Sequence, residues 1–432
     1  MYLVKEIFKY LNVKCNYAVL RNFTGLPNNI NSRDIDILID RNDFKSSINT
    51  IVNIIVDSEF KILTYFKSDR MVTFVCASAN KNKVEIIQFD FLFQTSLYGL
   101  MIISADTMLK SRKFNGEIYH VSKEYQFLDK YLYLMLLNAS YPEKYKDLKL
   151  EMSQNILLNN ILLNILGLSS LEEVENTSYL KLRKSILSLN LKRKPLRQLE
   201  MLFSFFYYNI KNKLFYKGFS VGFTGPDGAG KTTIIDDILK ELKKVYTEIQ
   251  FFHFRPRILP NLGESVQKTK LKSEIDIDYS NPHRGKKTGI LNSSVRLIYY
   301  TIDYIIGYFK IVRPFLQKRS IVIFDRYFTD TIADSRRSRI YLNPKLLYWF
   351  GKIFIPKLDY NVLLTADTTI ILARKQELTA EGIDNINEKL DYLSKKKGYY
   401  LVLNNGTAEE AINKILNIIF EKQHFKNIKI FE

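Results

Sequence analysis

Nine consecutive residues, Gly225-Pro226-Asp227-Gly228-Ala229-Gly230-Lys231-Thr232-Thr233, bring together three glycines, an ammonium and two hydroxyls. Glycines let successive backbone N–H groups converge on one point, and the start of a following helix adds positive potential there. Such a turn grips phosphate oxygens. Lys231 would reach the β- and γ-phosphates of a nucleoside triphosphate, and the Thr232 hydroxyl would ligate magnesium. The spacing fits G-x-x-x-x-G-K-[ST], a match expected by chance on the order of once in a hundred chains of this length. Only 17 glycines among 432 residues make accident rarer still. The bland alternative is a glycine-rich turn with a solvated lysine.

Two other groups of residues could do chemistry. Ile321-Val322-Ile323-Phe324-Asp325 is an apolar run ending in an acid, followed by Arg326-Tyr327. A carboxylate at the end of a strand beside a phosphate loop is placed to hold magnesium directly or through water. Near the N-terminus, Asp34 and Asp36 are two apart, so on a strand they face one side. Asp90, in Ile87-Gln88-Phe89-Asp90-Phe91, could add a third carboxylate from a neighbouring strand. Three acids so arranged can hold two divalent metals for nucleotidyl transfer.

The elements that must position these groups follow from periodicity. Residues 1–122 carry strand-like runs (NYAVLR, DIDILID, FKILTYF, MVTFVCA, VEIIQFDFL) and a helical stretch near Phe44–Val56. Residues 123–213 turn helical and Leu-rich, a connector without a fixed repeat. Residues 214–432 alternate strand and helix: FSVGFTG, the glycine turn, TTIIDDILKELKKV, EIQFFHF, then SSVRLIYYTIDYIIGYF, SIVIFD, YNVLLTA and YYLVLN. That alternation predicts an α/β domain whose parallel sheet is covered on both faces, with ligands beyond the carboxyl ends of its strands.

Composition bounds the rest. Hydrophobic residues at 46% and charged residues at 25% suit globular domains rather than disorder. The 64 Lys and Arg against 45 Asp and Glu leave +19. This could attract nucleic acid, an anionic membrane or phosphorylated substrates, but solvated Lys-rich surface accounts for much of it, and a nucleic-acid partner is not expected. Cys15 and Cys76 cannot make a disulfide framework, and no Cys/His spacing suggests zinc. MYLVKEIFKYLN reads as an amphipathic helix and not a signal peptide, and no apolar run reaches the roughly 20 residues of a spanning helix. A cytoplasmic location is expected.

The glycine turn and Asp325-Arg326-Tyr327 together resemble the thymidylate kinase family of nucleoside monophosphate kinases. The resemblance runs from about Gly218 to the C-terminus and implies a three-layer P-loop domain using ATP and Mg2+. It implies that residues Gly225 to Thr233 bind ATP, that Thr232 and Asp325 hold magnesium, and that Lys231, Arg326 and Arg374 are catalytic. Arg374-Lys375 looks like the start of the family's lid, so Arg374 would close over ATP and stabilise charge on the transferring group. Asp227 would contact an acceptor hydroxyl, Arg255 of His253-Phe254-Arg255-Pro256 would hold the acceptor's phosphate, and Tyr327 would line the acceptor side. Departures also fall on that side. Asp303-Tyr304 stands near the family's phosphate-gripping arginine, with Arg296 the nearest candidate upstream. Ala333 is followed by Asp334-Ser335-Arg336-Arg337 where the family reads thymine. Arg336, Arg337 and Arg339 would suit a more anionic acceptor, and a solvated basic face explains them equally.

The insertion at 259–291, with NPHRGKKTG, reads either as a loop closing over phosphates or as an inert excursion. His253 and His283 lack metal-ligand spacing. Tyr299, Tyr300, Tyr304 and Tyr308 read as core or dimer packing; in the family this helix serves a homodimer.

The first 120 residues look like a nucleotidyltransferase fold, with Asp34-x-Asp36 and a later acid; Arg21-Asn22 and Thr24-Gly25 stand where that fold has Gly-Ser. Active transfer, a degenerate binding domain and coincidence all remain open. The expected architecture is therefore an α+β nucleotidyltransferase-like domain (1–122), a helical connector (123–213) and a thymidylate kinase-like P-loop domain (214–432). The expected function is a kinase moving the γ-phosphate of ATP to a nucleoside monophosphate or another small phosphorylated acceptor. The alternatives are a bifunctional sugar or alcohol kinase and nucleotidyltransferase, as in surface-glycan or nucleotide-sugar metabolism, and an ATP-gated binding protein.

Overall fold

A computed structural model describes residues 2–32, 34–80, 83–215, 218–244, 246, 248–260 and 289–431. Most of the anticipated 259–291 loop, including His283, lies outside the described residues. The chain divides into two compact units: unit 1 holds Met1–Ser78, Glu85–Leu214 and Lys422–Glu432, and unit 2 holds Ala79–Val84 and Phe215–Glu421.

The strands of unit 1 are β1 (Tyr17–Val19), β2 (Asp34–Ile39), β3 (Lys61–Lys67), β4 (Met71–Asn80), β5 (Lys83–Leu92), β6 (Gln94–Leu97), β7 (Leu100–Ser104), β8 (Lys113–Phe114) and β9 (Tyr119–His120). Among the described residues they form a seven-stranded sheet in the order β3-β4-β5-β2-β1-β9-β8, and a β6-β7 pair. Strand β2 shows how the sheet is faced. Ile35, Ile37 and Ile39 enter one core with Leu3, Ile7 and Ile51, from the helices Tyr2–Lys14 and Arg41–Asp57. Leu38 points the other way, into a core with Leu128, Tyr131 and Leu132 of the helix Lys123–Leu136. Asp34 and Asp36 share Leu38's side by the two-residue period of a strand. The Leu-rich stretches of 123–213 thus cover a sheet face, where each fully buried Leu or Phe contributes about 1.5–3 kcal/mol.

Unit 2 holds β10 (Phe219–Thr224), β11 (Ile249–His253), β12 (Ile321–Asp325), β13 (Tyr360–Thr365) and β14 (Tyr399–Leu403). They pair in the order β11-β12-β10-β13-β14, every pair parallel. All six residues of central β10 are buried, as expected of a parallel strand covered on both faces. The chain leaves β10 toward β11 and β12 on one side, then crosses to β13 and β14 on the other. That reversal makes a crevice at the carboxyl end of β10, where the glycine turn begins. The helix Lys231–Leu242 buries Ile234, Ile235, Ile238 and Leu242, one face of its 3.6-residue period. In the helix Ile290–Gly307, Tyr304 is core: its ring meets Tyr327 edge-on at 4.8 Å and its hydroxyl donates to the Phe254 carbonyl at 2.9 Å. No described helix is long and apolar enough to cross a membrane.

Candidate functional site

Strand register in unit 2 brings distant residues to one edge. Phe223 of β10 lies opposite Asp325 of β12, and His253 of β11 opposite Asp325 on its other side. The turn that leaves β10 needs its glycines. A side chain at Gly225 would begin 2.0 Å from the Leu364 carbonyl oxygen, and Gly230 has φ +89 with Asn404 Nδ2 only 2.6 Å from where a Cβ would sit. Asn404, directly after β14 and 4% exposed, donates from Nδ2 to the Ala229 carbonyl at 2.9 Å.

Lys231 opens the following helix and is 6% exposed. Its ammonium donates to the Gly225 and Pro226 carbonyls, both at 2.8 Å, and lies 3.9 Å from Asp227. Burial, with the Arg326 charge next in effect, pulls its pKa down to about 7. Thr232 and Thr233 are exposed at the helix start.

Asp325 shares its Oδ2 with His253 Nδ1 at 2.9 Å, while its Oδ1 is buried with no hydrogen-bond partner among the described residues. Burial pushes this carboxyl up, but the His253 hydrogen bond and the Arg326, His253 and Lys231 charges outweigh it and hold its pKa below the ordinary value. A carboxylate oxygen at the end of β12 and a threonine hydroxyl at the start of the helix after β10 are the oxygen donors a hard divalent cation takes, and His253 fixes the carboxylate's orientation.

Arg326 sits at φ 70, a left-handed conformation costly for a long side chain. Its amide is held by the Phe223 carbonyl at 2.8 Å, and its guanidinium joins Asp227 Oδ1 at 2.6 Å and Asp330 Oδ1 at 3.2 Å. Arg337 donates from Nη2 to Asp227 Oδ2 and from Nε to Asp334 at 3.4 Å. Burial raises the Asp330 pKa against the pull of both arginines. The loop aspartate is thus clamped by two guanidiniums.

Other anticipated residues lie differently. Arg255 is 3% exposed, 3.0 Å from the fully buried Asp303 and over the Tyr300 ring at 4.7 Å, so its charge is turned inward. Tyr327 is 5% exposed, and its hydroxyl donates to the Pro356 carbonyl at 2.7 Å. Arg374 is exposed, and donates to the Asn404 carbonyl at 3.0 Å. Sequence reasoning missed Asn404, whose partner Ala229 is remote in the chain, and Asp330, which pairs with Arg326 four residues before it but belongs to no recognisable motif.

In unit 1, Asp34, Asp36 and Asp90 offer carboxylate oxygens within 4.8 Å of one another, since parallel pairing of β2 and β5 sets Asp36 opposite Asp90. Arg21 Nε donates to Asp36 at 2.7 Å, and Arg21 Nη1 is 3.7 Å from Asp129. Thr73 and Gln88 donate to Asp90 at 2.6 and 2.9 Å. Burial is the main reason the Asp90 pKa rises to about 6.

No family model matches the chain. It is 26% identical over 216 residues to the thymidylate kinase of Mycoplasma mobile, a match spanning 47% of this chain and 96% of that protein. About half of this chain is a thymidylate kinase-like region. A crystal structure of thymidylate kinase from Ehrlichia chaffeensis aligns with 47% of this chain and 98% of its own, at 17% identity and a TM-score of 0.31.

Proposed function

We propose that the thymidylate kinase-like region is the Phe215–Glu421 part of unit 2, most of the P-loop domain anticipated at 214–432, and that it is an ATP- and Mg2+-dependent kinase. It moves the γ-phosphate of ATP to a nucleoside monophosphate or a related small phosphorylated acceptor. An acceptor oxygen forms a bond to the γ-phosphorus, the bond from phosphorus to the β–γ bridging oxygen breaks with its electron pair, ADP leaves, and any proton on the acceptor oxygen is released.

The observation that carries this reading is the buried Lys231 ammonium enclosed by the turn's own carbonyls, with its charge felt by the Asp325 carboxylate. Those two hydrogen bonds hold the ammonium where incoming phosphate oxygens can replace the carbonyls. The backbone from Gly225 to Thr233 cradles the phosphates. Thr232 and Asp325 would hold magnesium, which supplies charge neutralisation on the phosphates. Asp227 orients the acceptor hydroxyl while Arg326 neutralises charge near the phosphates being joined. Arg374, exposed beside Asn404, closes over ATP. Tyr327 supports the acceptor side from within the core, and Arg255 reaches the acceptor only by leaving Asp303. The 26% identity to the Mycoplasma mobile thymidylate kinase supports the nucleotide-kinase class.

Incubation with ATP, magnesium and a panel of nucleoside monophosphates and sugar phosphates tests it. A phosphorylated acceptor that disappears in Lys231→Met is the expected result, and no product from any acceptor counts against the reading.

A second reading rests on the Asp34, Asp36 and Asp90 cluster: residues 1–122 transfer a nucleotidyl group, making the protein bifunctional toward a sugar or alcohol. Unchanged nucleotidyl product after Asp36→Asn and Asp90→Asn would remove it.

A further inference from the structure

The helix Pro195–Leu214 of unit 1 buries Gln198 and Met201. Gln198 anchors that inner face, donating from Nε2 to the Gly99 carbonyl at 2.7 Å and accepting at Oε1 from the Met101 amide at 3.3 Å and from Asn190 at 2.9 Å. On the opposite face lie Leu196, Leu199, Phe203, Phe206, Ile210 and Leu214, between 45% and 83% exposed. At 3.6 residues per turn these six fall within an arc of about 80°. The outward face is therefore the apolar one, the reverse of an ordinary surface helix. Contiguous apolar exposure of this kind marks an interaction surface.

Charge identifies the partner. From Tyr179 to Leu214 the chain carries nine Lys and Arg and a single acid, Glu200. Lys184 and Lys192 border a shallow depression with Leu187 and Leu191 on the preceding helix, Tyr179–Arg193. The Lys211 ammonium lies 5.6 Å over the Tyr207 ring, its stem alongside the apolar stripe. A second copy docked by the same face would set like charges together. An anionic lipid surface satisfies both features. We propose that the helix Pro195–Leu214 lies in the plane of an anionic bilayer surface, its Leu and Phe stripe entering the acyl boundary and the flanking Lys and Arg pairing with lipid phosphates. This assignment is independent of the kinase reading.

The test sediments the full chain with phosphatidylcholine vesicles, with and without phosphatidylglycerol. The variants are Phe203→Glu with Phe206→Glu, and Lys211→Glu with Lys213→Glu; all four positions are exposed, and thermal melting by circular dichroism checks that the fold survives. Binding should require phosphatidylglycerol and fall by at least about tenfold in each variant, since each basic residue is worth about fivefold in partitioning. A blue-shifted difference emission from Phe206→Trp on vesicle addition should report insertion separately. Any of four outcomes overturns the proposal: no vesicle binding, equal binding to uncharged vesicles, unchanged binding by the Phe variant, or no emission shift at position 206. A Phe variant that converts a dimer to a monomer assigns the face to a second copy instead. RNA binding lost only with the lysines assigns the charge to nucleic acid.

Discussion

The side-chain amide of Asn404 donates to the Ala229 carbonyl at 2.9 Å, so the residue that follows the last strand of unit 2 ties down the glycine turn that follows the first. Because Asn404 is buried, Asn404→Ala leaves the Ala229 carbonyl without its donor, a loss of about 1–3 kcal/mol. The turn's N–H groups would then sample other directions. The expected result is a rise of about tenfold in the KM for ATP, with the acceptor KM little changed. Equal effects on both substrates would show that Asn404 supports the unit as a whole.

Lys231 gives a prediction of opposite sign for stability and for chemistry. Its folded pKa, near 7, lies below its ordinary 10.5 because of burial. Above pH 10.5 the group is neutral in both states and contributes nothing. As pH falls from 10.5 toward 7 the unfolded chain takes up the proton and the folded one does not, so stability declines through that window and stays lower below it. Lys231→Met removes this penalty and also two hydrogen bonds. At pH 7 the variant should be more stable by on the order of 1–3 kcal/mol, and its advantage should vanish above pH 10.5. Phosphoryl transfer should nonetheless fall at least about a thousandfold, because the charge that neutralises the phosphates is gone. Denaturant unfolding across pH checks the first part and product formation the second.

How far the sequence could be read depended on the range of the interactions. The glycine turn was legible because its residue types and spacing are written in nine adjacent residues, and the place of Asp325 because an apolar run ends in it. The five parallel strands described in unit 2 were legible from runs such as SIVIFD and YNVLLTA, bounded by helical periods. Arg255 shows the opposite case. Its Arg-x-Pro context pointed to a phosphate, yet the helix Ile290–Gly307 places Asp303 against it 48 positions later, and no local spacing announces an ion pair across that distance. Asn404 is invisible for the same reason, being an ordinary residue type until the sheet sets it beside Ala229, whereas Asp330 pairs with Arg326 only four positions away and was missed because an acid at that spacing is commonplace. In unit 1 the two-residue period put Asp34 and Asp36 on one face, but the register that sets Asp90 opposite Asp36 belongs to strand pairing.

Arg337 should tune the acceptor rather than ATP. Its Nη2 donates to Asp227 Oδ2 while Arg326 holds Oδ1. Arg337→Ala leaves Asp227 paired with Arg326 but removes a cation from largely buried acids, so stability should fall by about 1.5–3 kcal/mol. The acceptor loses a guanidinium beside the carboxylate meant to orient it. We expect kcat/KM for the acceptor to fall about 10- to 100-fold, as for loss of a charged hydrogen bond, with the ATP KM unchanged. Arg337→Lys should recover little, because a single ammonium cannot reproduce the planar fork. An effect on the ATP KM alone would place Arg337 on the wrong side of the site.

The carboxylates of unit 1 predict a measurable metal response. Asp34, Asp36 and Asp90 place oxygens within 4.8 Å of one another, and Arg21 already neutralises part of that charge through Asp36. A divalent cation bound there stabilises the fold by mass action, about 2.7 kcal/mol at a hundredfold excess over its Kd. Manganese should therefore raise the melting temperature of the parent chain, and this rise should disappear in Asp36→Asn with Asp90→Asn. Arg21→Gln should enlarge it, since the competing cation is removed while a hydrogen-bond donor remains. Burial raises the Asp90 pKa to about 6, so below that pH protonation competes with the metal and the rise should shrink. If manganese shifts the parent and the double Asn variant equally, the cluster is not the ion's site and the nucleotidyl-transfer reading loses its metal.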